Sequence, residues 1–146
     1  MPDYVVRNPD FEQLVRSSFA KQGLMRTYGA RLGTVAPGAV EVAVPFSPEL
    51  TQQQGLFHAG VTTAIADSAA GYTALTLMVP GSDVVSIEFK VNLIAPALGD
   101  ELIARAHAVR SGRTITVCQA DVFNVTADGE THCAAMLATM MRIDAT

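Results

Sequence analysis

Basic side chains are few: ten lysines and arginines stand against fourteen aspartates and glutamates, a net charge of -4. They occur singly from Arg7 to Arg142, so the chain carries no basic stripe of the kind that nucleic acid or an anionic membrane requires. No apolar run is long enough to span a bilayer without glycine, proline or a polar break, and no basic segment followed by an apolar one opens the chain. The expected setting is the cytoplasm. Histidine, cysteine, aspartate and glutamate do not cluster at ligand spacing, since His107 and His132 fall in separate strand-like segments, and a metal site is not expected. Cysteine is nearly absent. Pairing about a turn at Asp128–Gly129 would set Cys118 near position 138 and Cys133 near position 123, too far apart to bridge, so both are expected as buried, reduced thiols. Internal repeats, low-complexity tracts and linkers are missing too. A chain of 146 residues with 49% hydrophobic content then reads as one domain, 1–146.

The pattern begins with Phe11, Leu14, Val15 and Phe19 at helical spacing. These predict a short amphipathic helix over Asp10 to Gly23, within an N-terminal helical segment of about 1–26. From Thr27 the period changes to two, with Val40, Val42, Val44 and Phe46 alternating after a Pro-Gly turn, which predicts a strand hairpin. The apolar stretch Ala59 to Val79 is too dense and too poorly alternating for a strand, and is rich in alanine and leucine. It predicts a long, mostly buried helix. Four strand patterns follow, separated by the short links "PALG", "RSG" and "ADG", and predict a meander of antiparallel neighbours. In the first of them Val85, Ile87, Phe89, Val91 and Leu93 fall on one face, expected to be buried. Ser86, Glu88, Lys90 and Asn92 fall on the other. Only a curved sheet can cover the long helix, so the fold class is α+β, a curved antiparallel sheet wrapped around one central helix.

At about 100° per residue, Val61, Ile65, Tyr72 and Leu75 share one side of that helix, the expected sheet-facing side. Gly60, Thr63, Asp67, Gly71 and Ala74 share another. Asp67 is the one charged residue between Glu49 and Asp83, with no lysine or arginine three or four positions away. Two readings stay open, an exposed helical aspartate or a recessed functional carboxylate among small neighbours. At the helix start, "GLFHAG" leaves the amides of Ala59 and Gly60 without intrahelical partners. Such amides either bind water or a cap, or stabilise a developing oxyanion.

The motif "FHAGVTTAIADSAAGYTAL", with the downstream "VSIEFKVNLIAPALGDELIARAHAVRSGRTITVCQADVF", resembles the hotdog-fold acyl-CoA thioesterases of the phenylacetate-pathway (PaaI-like) type, over roughly Gly38 to Ile143. The family usually has His-Gly-Gly where this chain has His58-Ala59-Gly60. The resemblance implies a hotdog fold, a homodimer joined sheet edge to sheet edge or a homotetramer of such dimers, and an acyl-CoA substrate with no cofactor beyond its own coenzyme A. It implies Asp67 as nucleophile or general base, and the Ala59 amide as oxyanion donor. Gln52, with Gln53 and Gln54 as competitors, falls on the family's polar side chain near the thioester. Ser86 falls in the region where relatives position the water. His58 and Gly60 are expected at the substrate-binding end of the helix, where His58 is read as fixing the turn by hydrogen bonding. Lys90, Arg110, Gly112 and Arg113 are candidates for the coenzyme A phosphates. A dehydratase or hydratase of the same fold would need a histidine beside the acid, but His58 and Asp67 lie roughly 13 Å apart along the helix. A non-catalytic acyl-CoA-binding module is the other alternative. The acyl group, shaped by residues such as Phe57, Tyr72 and Met78, stays open.

Overall fold

A computed structural model describes residues 3–146, so the first two residues of the expected N-terminal segment lie outside the description. The elements in order are α1 (Phe11–Phe19), α2 (Gly23–Tyr28), β1 (Arg31–Ala36), β2 (Ala39–Pro45), a 3-10 turn (Pro48–Leu50), α3 (Ala59–Leu75), β3 (Ser82–Leu93), β4 (Glu101–Ser111), β5 (Ile115–Thr126) and β6 (Gly129–Asp144). Gly23 does not stop the N-terminal helix as expected: it opens a second short one. The stop is Gly29, whose left-handed φ of 67° lets its amide reach the Arg26 carbonyl while Ala30 N–H reaches Met25. The first strand accordingly starts at Arg31 rather than Thr27.

The six strands form one antiparallel sheet in the order β1-β2-β4-β5-β6-β3. Strands β4, β5 and β6 do form a meander, but β3 pairs with β6 at the far edge and not with β4, correcting the expected four-strand meander. A short link favours neighbours without requiring them. The seven residues Ile94–Asp100 reach over 20 Å when extended, more than the roughly 14 Å of three interstrand spacings. The crossing is fixed on its way by Phe57 N–H donating to the Ala97 carbonyl at 3.0 Å and by Asn124 Nδ2 donating to the Pro96 carbonyl at 2.8 Å.

The sheet curls around α3. Val61, Ile65, Tyr72 and Leu75 are buried as their spacing predicts, and so are Thr62, Ala66, Ala69, Ala70 and Thr73. Ala74, expected on the open stripe with Asp67, is fully buried, because the wrapped sheet covers more of the helix than one face. The many alanines let the strands approach closely. The opposing wall comes from Val40, Val42 and Val44, Leu102, Ala104 and Ala106, Cys118 and Val122, and Met136 and Met140. Each large side chain among them contributes on the order of 1.5–3 kcal/mol by leaving water. The cysteines are buried and unbridged, with Cys118 opposite Ala138. Burial pushes their thiols up to about 12 and about 11.

Strand β3 departs most from its sequence pattern. Val85, Ile87, Phe89 and Leu93, expected to be buried, are 40%, 51%, 42% and 54% exposed, because β3 is an edge strand with a partner on one side alone. The alternation itself is broken by a bulge at Ile87: Ser86 pairs with Met140 while Glu88 pairs with Thr139. One extra residue turns everything before it to the opposite side. Ser86 therefore does not share the outer face of Glu88, Lys90 and Asn92 but faces inward toward the helix. Among the described residues no helix is long and apolar enough to cross a membrane, and no group of metal-ligating side chains occurs.

Candidate active site

Helix α3 carries both chemical features foreseen for it. At its start His58 is the N-cap, its Nδ1 accepting from Gly60 N–H at 2.7 Å. A Cβ at position 60 would lie 2.9 Å from that nitrogen, so glycine is needed for the cap. The Gly60 amide, expected to be free, is thus occupied. The Ala59 amide meets no protein acceptor among the described residues, and sits at the positive end of a 17-residue helix.

Eight residues on, half-buried Asp67 accepts a hydrogen bond from Ser86 Oγ at 2.6 Å. The bulge at Ile87 makes this pair. A hydroxyl donating to a carboxylate holds it in one orientation. The pair borders a cavity of about 380 Å³ whose walls include Gly71 and Val85, along with Ser18, Lys21, Gln22, Ser68 and Tyr72. Of the small stripe, only Asp67 and Gly71 open onto this space. The polar residues from α1 and its junction with α2 had no signal in the sequence. Gln22 Nε2 donates to Tyr72 Oη at 3.0 Å, Ser68 Oγ donates to Gln22 Oε1 at 3.1 Å, and Ser18 Oγ lies 3.2 Å from Tyr72 Oη. Burial raises the Tyr72 phenol, so it stays a neutral donor.

Gln52 and Ala59 lie together elsewhere, in a cavity of about 430 Å³ lined also by Phe57, Thr62, Leu93, Ile94 and Cys133. Within one chain, then, the oxyanion candidate and the carboxylate do not converge: eight residues of α3 separate them, about 12 Å. Gln52 is held in a turn, its side-chain oxygen accepting from Gln54 N–H. Both cavities reach the exposed strand, the first at Ser86 and the second at Leu93.

The four phosphate candidates are not one group. Lys90 lies on the outer face of β3 with Asn92, Gln119 and Leu137. Arg110 projects from β4, three interstrand spacings away in the sheet. Gly112 and Arg113 line a third cavity, with Met78, Arg7 and Arg142.

Residues 54–129 match the family model described as thioesterase superfamily. A thioesterase family protein from Silicibacter pomeroyi is 43% identical, the match covering 92% of this chain and 98% of that one with a TM-score of 0.90. Acyl-coenzyme A thioesterase 13 of Homo sapiens is 29% identical over 94 residues, 64% of this chain and 66% of that protein's length. The Escherichia coli PaaI protein from the phenylacetic acid degradation operon shares the fold, with a TM-score of 0.84 at 18% identity over 96% of this chain and 98% of that one.

Proposed function

We propose that this chain, which belongs to the thioesterase superfamily, hydrolyses an acyl-CoA thioester to the free acid and coenzyme A. The observation that carries the reading is the Asp67 carboxylate, bonded by Ser86 at the edge of an open cavity, on a long helix whose first amide, Ala59 N–H, meets no protein acceptor among the described residues. Asp67 takes a proton from water as the water attacks the carbonyl carbon, or attacks that carbon itself to give an anhydride that water then cleaves. The carbonyl oxygen gains charge against the Ala59 amide and the dipole behind it. In either route the tetrahedral intermediate collapses with breaking of the carbon–sulfur bond, releasing coenzyme A as its thiolate; in the second route this departure forms the anhydride, before water cleaves it.

The separation of Asp67 from Ala59 is reconciled by a homodimer. Strand β3 offers an unpaired backbone edge flanked by exposed Ile87, Phe89 and Leu93, which a soluble protein does not leave open without cost. Antiparallel pairing of β3 with a second copy, about an axis between Phe89 and Lys90, sets Ser86 of one chain opposite Leu93 of the other. The carboxylate cavity of each chain then meets the Ala59 and Gln52 cavity of its mate.

The test is thiol release from aryl-, short-, medium- and long-chain acyl-CoA, with Asp67→Ala and Asp67→Asn variants verified as folded. A loss of roughly 10²-fold or more in both variants is expected for removal of a catalytic base. Full activity in Asp67→Asn refutes the assignment. Acyl-CoA binding with no release from any substrate makes the protein a binding module instead.

A further inference from the structure

We propose that the cavity between Arg7, Arg113 and Arg142 is a binding site for a phosphate monoester. Three of the chain's eight arginines, far apart in sequence, line one space of about 240 Å³ together with Met78, Val79, Thr114 and Thr116. Arg142 is held in place: its Nε donates to Ser82 Oγ at 2.7 Å, its Nη2 to Asp144 at 2.9 Å, and its backbone amide to the Thr114 carbonyl at 2.8 Å. Arg7 and Arg113 have no ion-pair partner among the described residues. The turn presenting Arg113 is tight, with Gly112 N–H donating to the Ile115 carbonyl at 2.8 Å. The backbone beside Arg7 is anchored by buried Asn8, whose side chain accepts from Asp10 N–H at 3.0 Å.

In a chain of net charge -4, three arginines line one space, and among the described residues only Arg142 has an ion-pair partner, the highly exposed Asp144, which leaves a local excess of positive charge. Like charges gathered without counter-charge repel, and an anion between them removes that cost. The arginines come from three chain segments, and a phosphate, with three terminal oxygens, can accept from several of them at once. Thr114 and Thr116 add hydroxyls, and Met78 and Val79 supply an apolar wall against which the ester's organic group packs. The cavity sits past the C-terminal end of α3, on the order of 15 Å beyond Asp67, and is therefore not where the thioester reacts. Coenzyme A itself carries a 3′-phosphate monoester, and that source rests on the thioesterase reading; a free phosphate ester is the other.

Calorimetric titration of the full chain with adenosine 3′,5′-bisphosphate and with inorganic phosphate tests the site, comparing wild type with Arg7→Gln/Arg113→Gln and with Arg16→Gln as control. Loss of two charged donors is expected to weaken binding at least about tenfold, and added salt to weaken wild-type binding. Steady-state rates on an acyl-CoA and on the corresponding acyl-pantetheine separate the sources. A raised KM for acyl-CoA in the double variant, with acyl-pantetheine unaffected, identifies the coenzyme. Weakened phosphate binding with unchanged KM for acyl-CoA identifies a separate phosphate ester. No wild-type binding of either probe, or equal affinity in the double variant, overturns the proposal. Failure of the wild type to cleave either thioester sinks the thioesterase reading while leaving the titration to decide the site.

Discussion

Replacing Ser86 by alanine removes one oxygen, the one that holds Asp67 at 2.6 Å. A hydrogen bond to a charged group contributes about 1.5–3 kcal/mol net. The Asp67–Ser86 pair lies at an open cavity edge, where solvent competes and reduces this to roughly 1–2 kcal/mol. If the bond positions the carboxylate for reaction, kcat falls by roughly five- to thirtyfold, with little change in KM. The assay is continuous detection of free thiol on the best acyl-CoA substrate, with circular dichroism to verify the fold. A double-mutant cycle makes the test specific, because a hydroxyl that acts through Asp67 has nothing left to position in Asp67→Asn. The Asp67→Asn/Ser86→Ala protein is then no slower than Asp67→Asn alone. Deleting Ile87 supplies a second perturbation: without the extra residue Ser86 turns to the outer face, and the loss at least equals that of Ser86→Ala. Wild-type kcat in Ser86→Ala, or fully additive losses in the double variant, refutes the positioning role.

Two further outcomes follow from the edge strand and the buried thiols. Phe89→Lys puts a charge in the middle of the exposed edge, and is expected to yield a folded monomer by sedimentation with activity reduced at least about tenfold; an active monomer refutes the shared site. For the thiols, the sign follows from protons bound. Cys118 and Cys133 ionise at about 12 and about 11 in the fold, against 9.0 for an unhindered thiol. The unfolded chain therefore loses its thiol protons first, and this contribution to stability declines as pH rises above about 9. Urea unfolding at pH 8 and pH 10.5 is expected to show a smaller decline in Cys118→Ala than in wild type, and thiol reagents to label neither cysteine in the native state at pH 8.

Much of the architecture is local and was therefore legible. The hairpin before the long helix, the helix itself and the register that keeps Cys118 opposite position 138 all follow from periodicity and turn chemistry, which neighbouring residues determine among themselves. The isolation of Asp67 from other charges, and its place eight residues after Ala59, are also properties of the chain alone. Strand order is not, because a seven-residue link is long enough to reach either a neighbour or the opposite edge, and only the fit of the sheet around α3 chooses. Ser86 shows the same limit at one residue. Alternation assigns it to the outer face with Glu88, and a bulge that arises from pairing with β6 turns it toward Asp67. The Gln22, Ser18 and Tyr72 network, and the meeting of Arg7 with Arg113 and Arg142, join segments with no common period, so no pattern in either segment announces the other. Sequence alone determined most of the elements and the isolation of the carboxylate, since those depend on interactions within a few turns. Tertiary structure decided what surrounds the carboxylate, since that depends on which distant segments the curved sheet brings beside it.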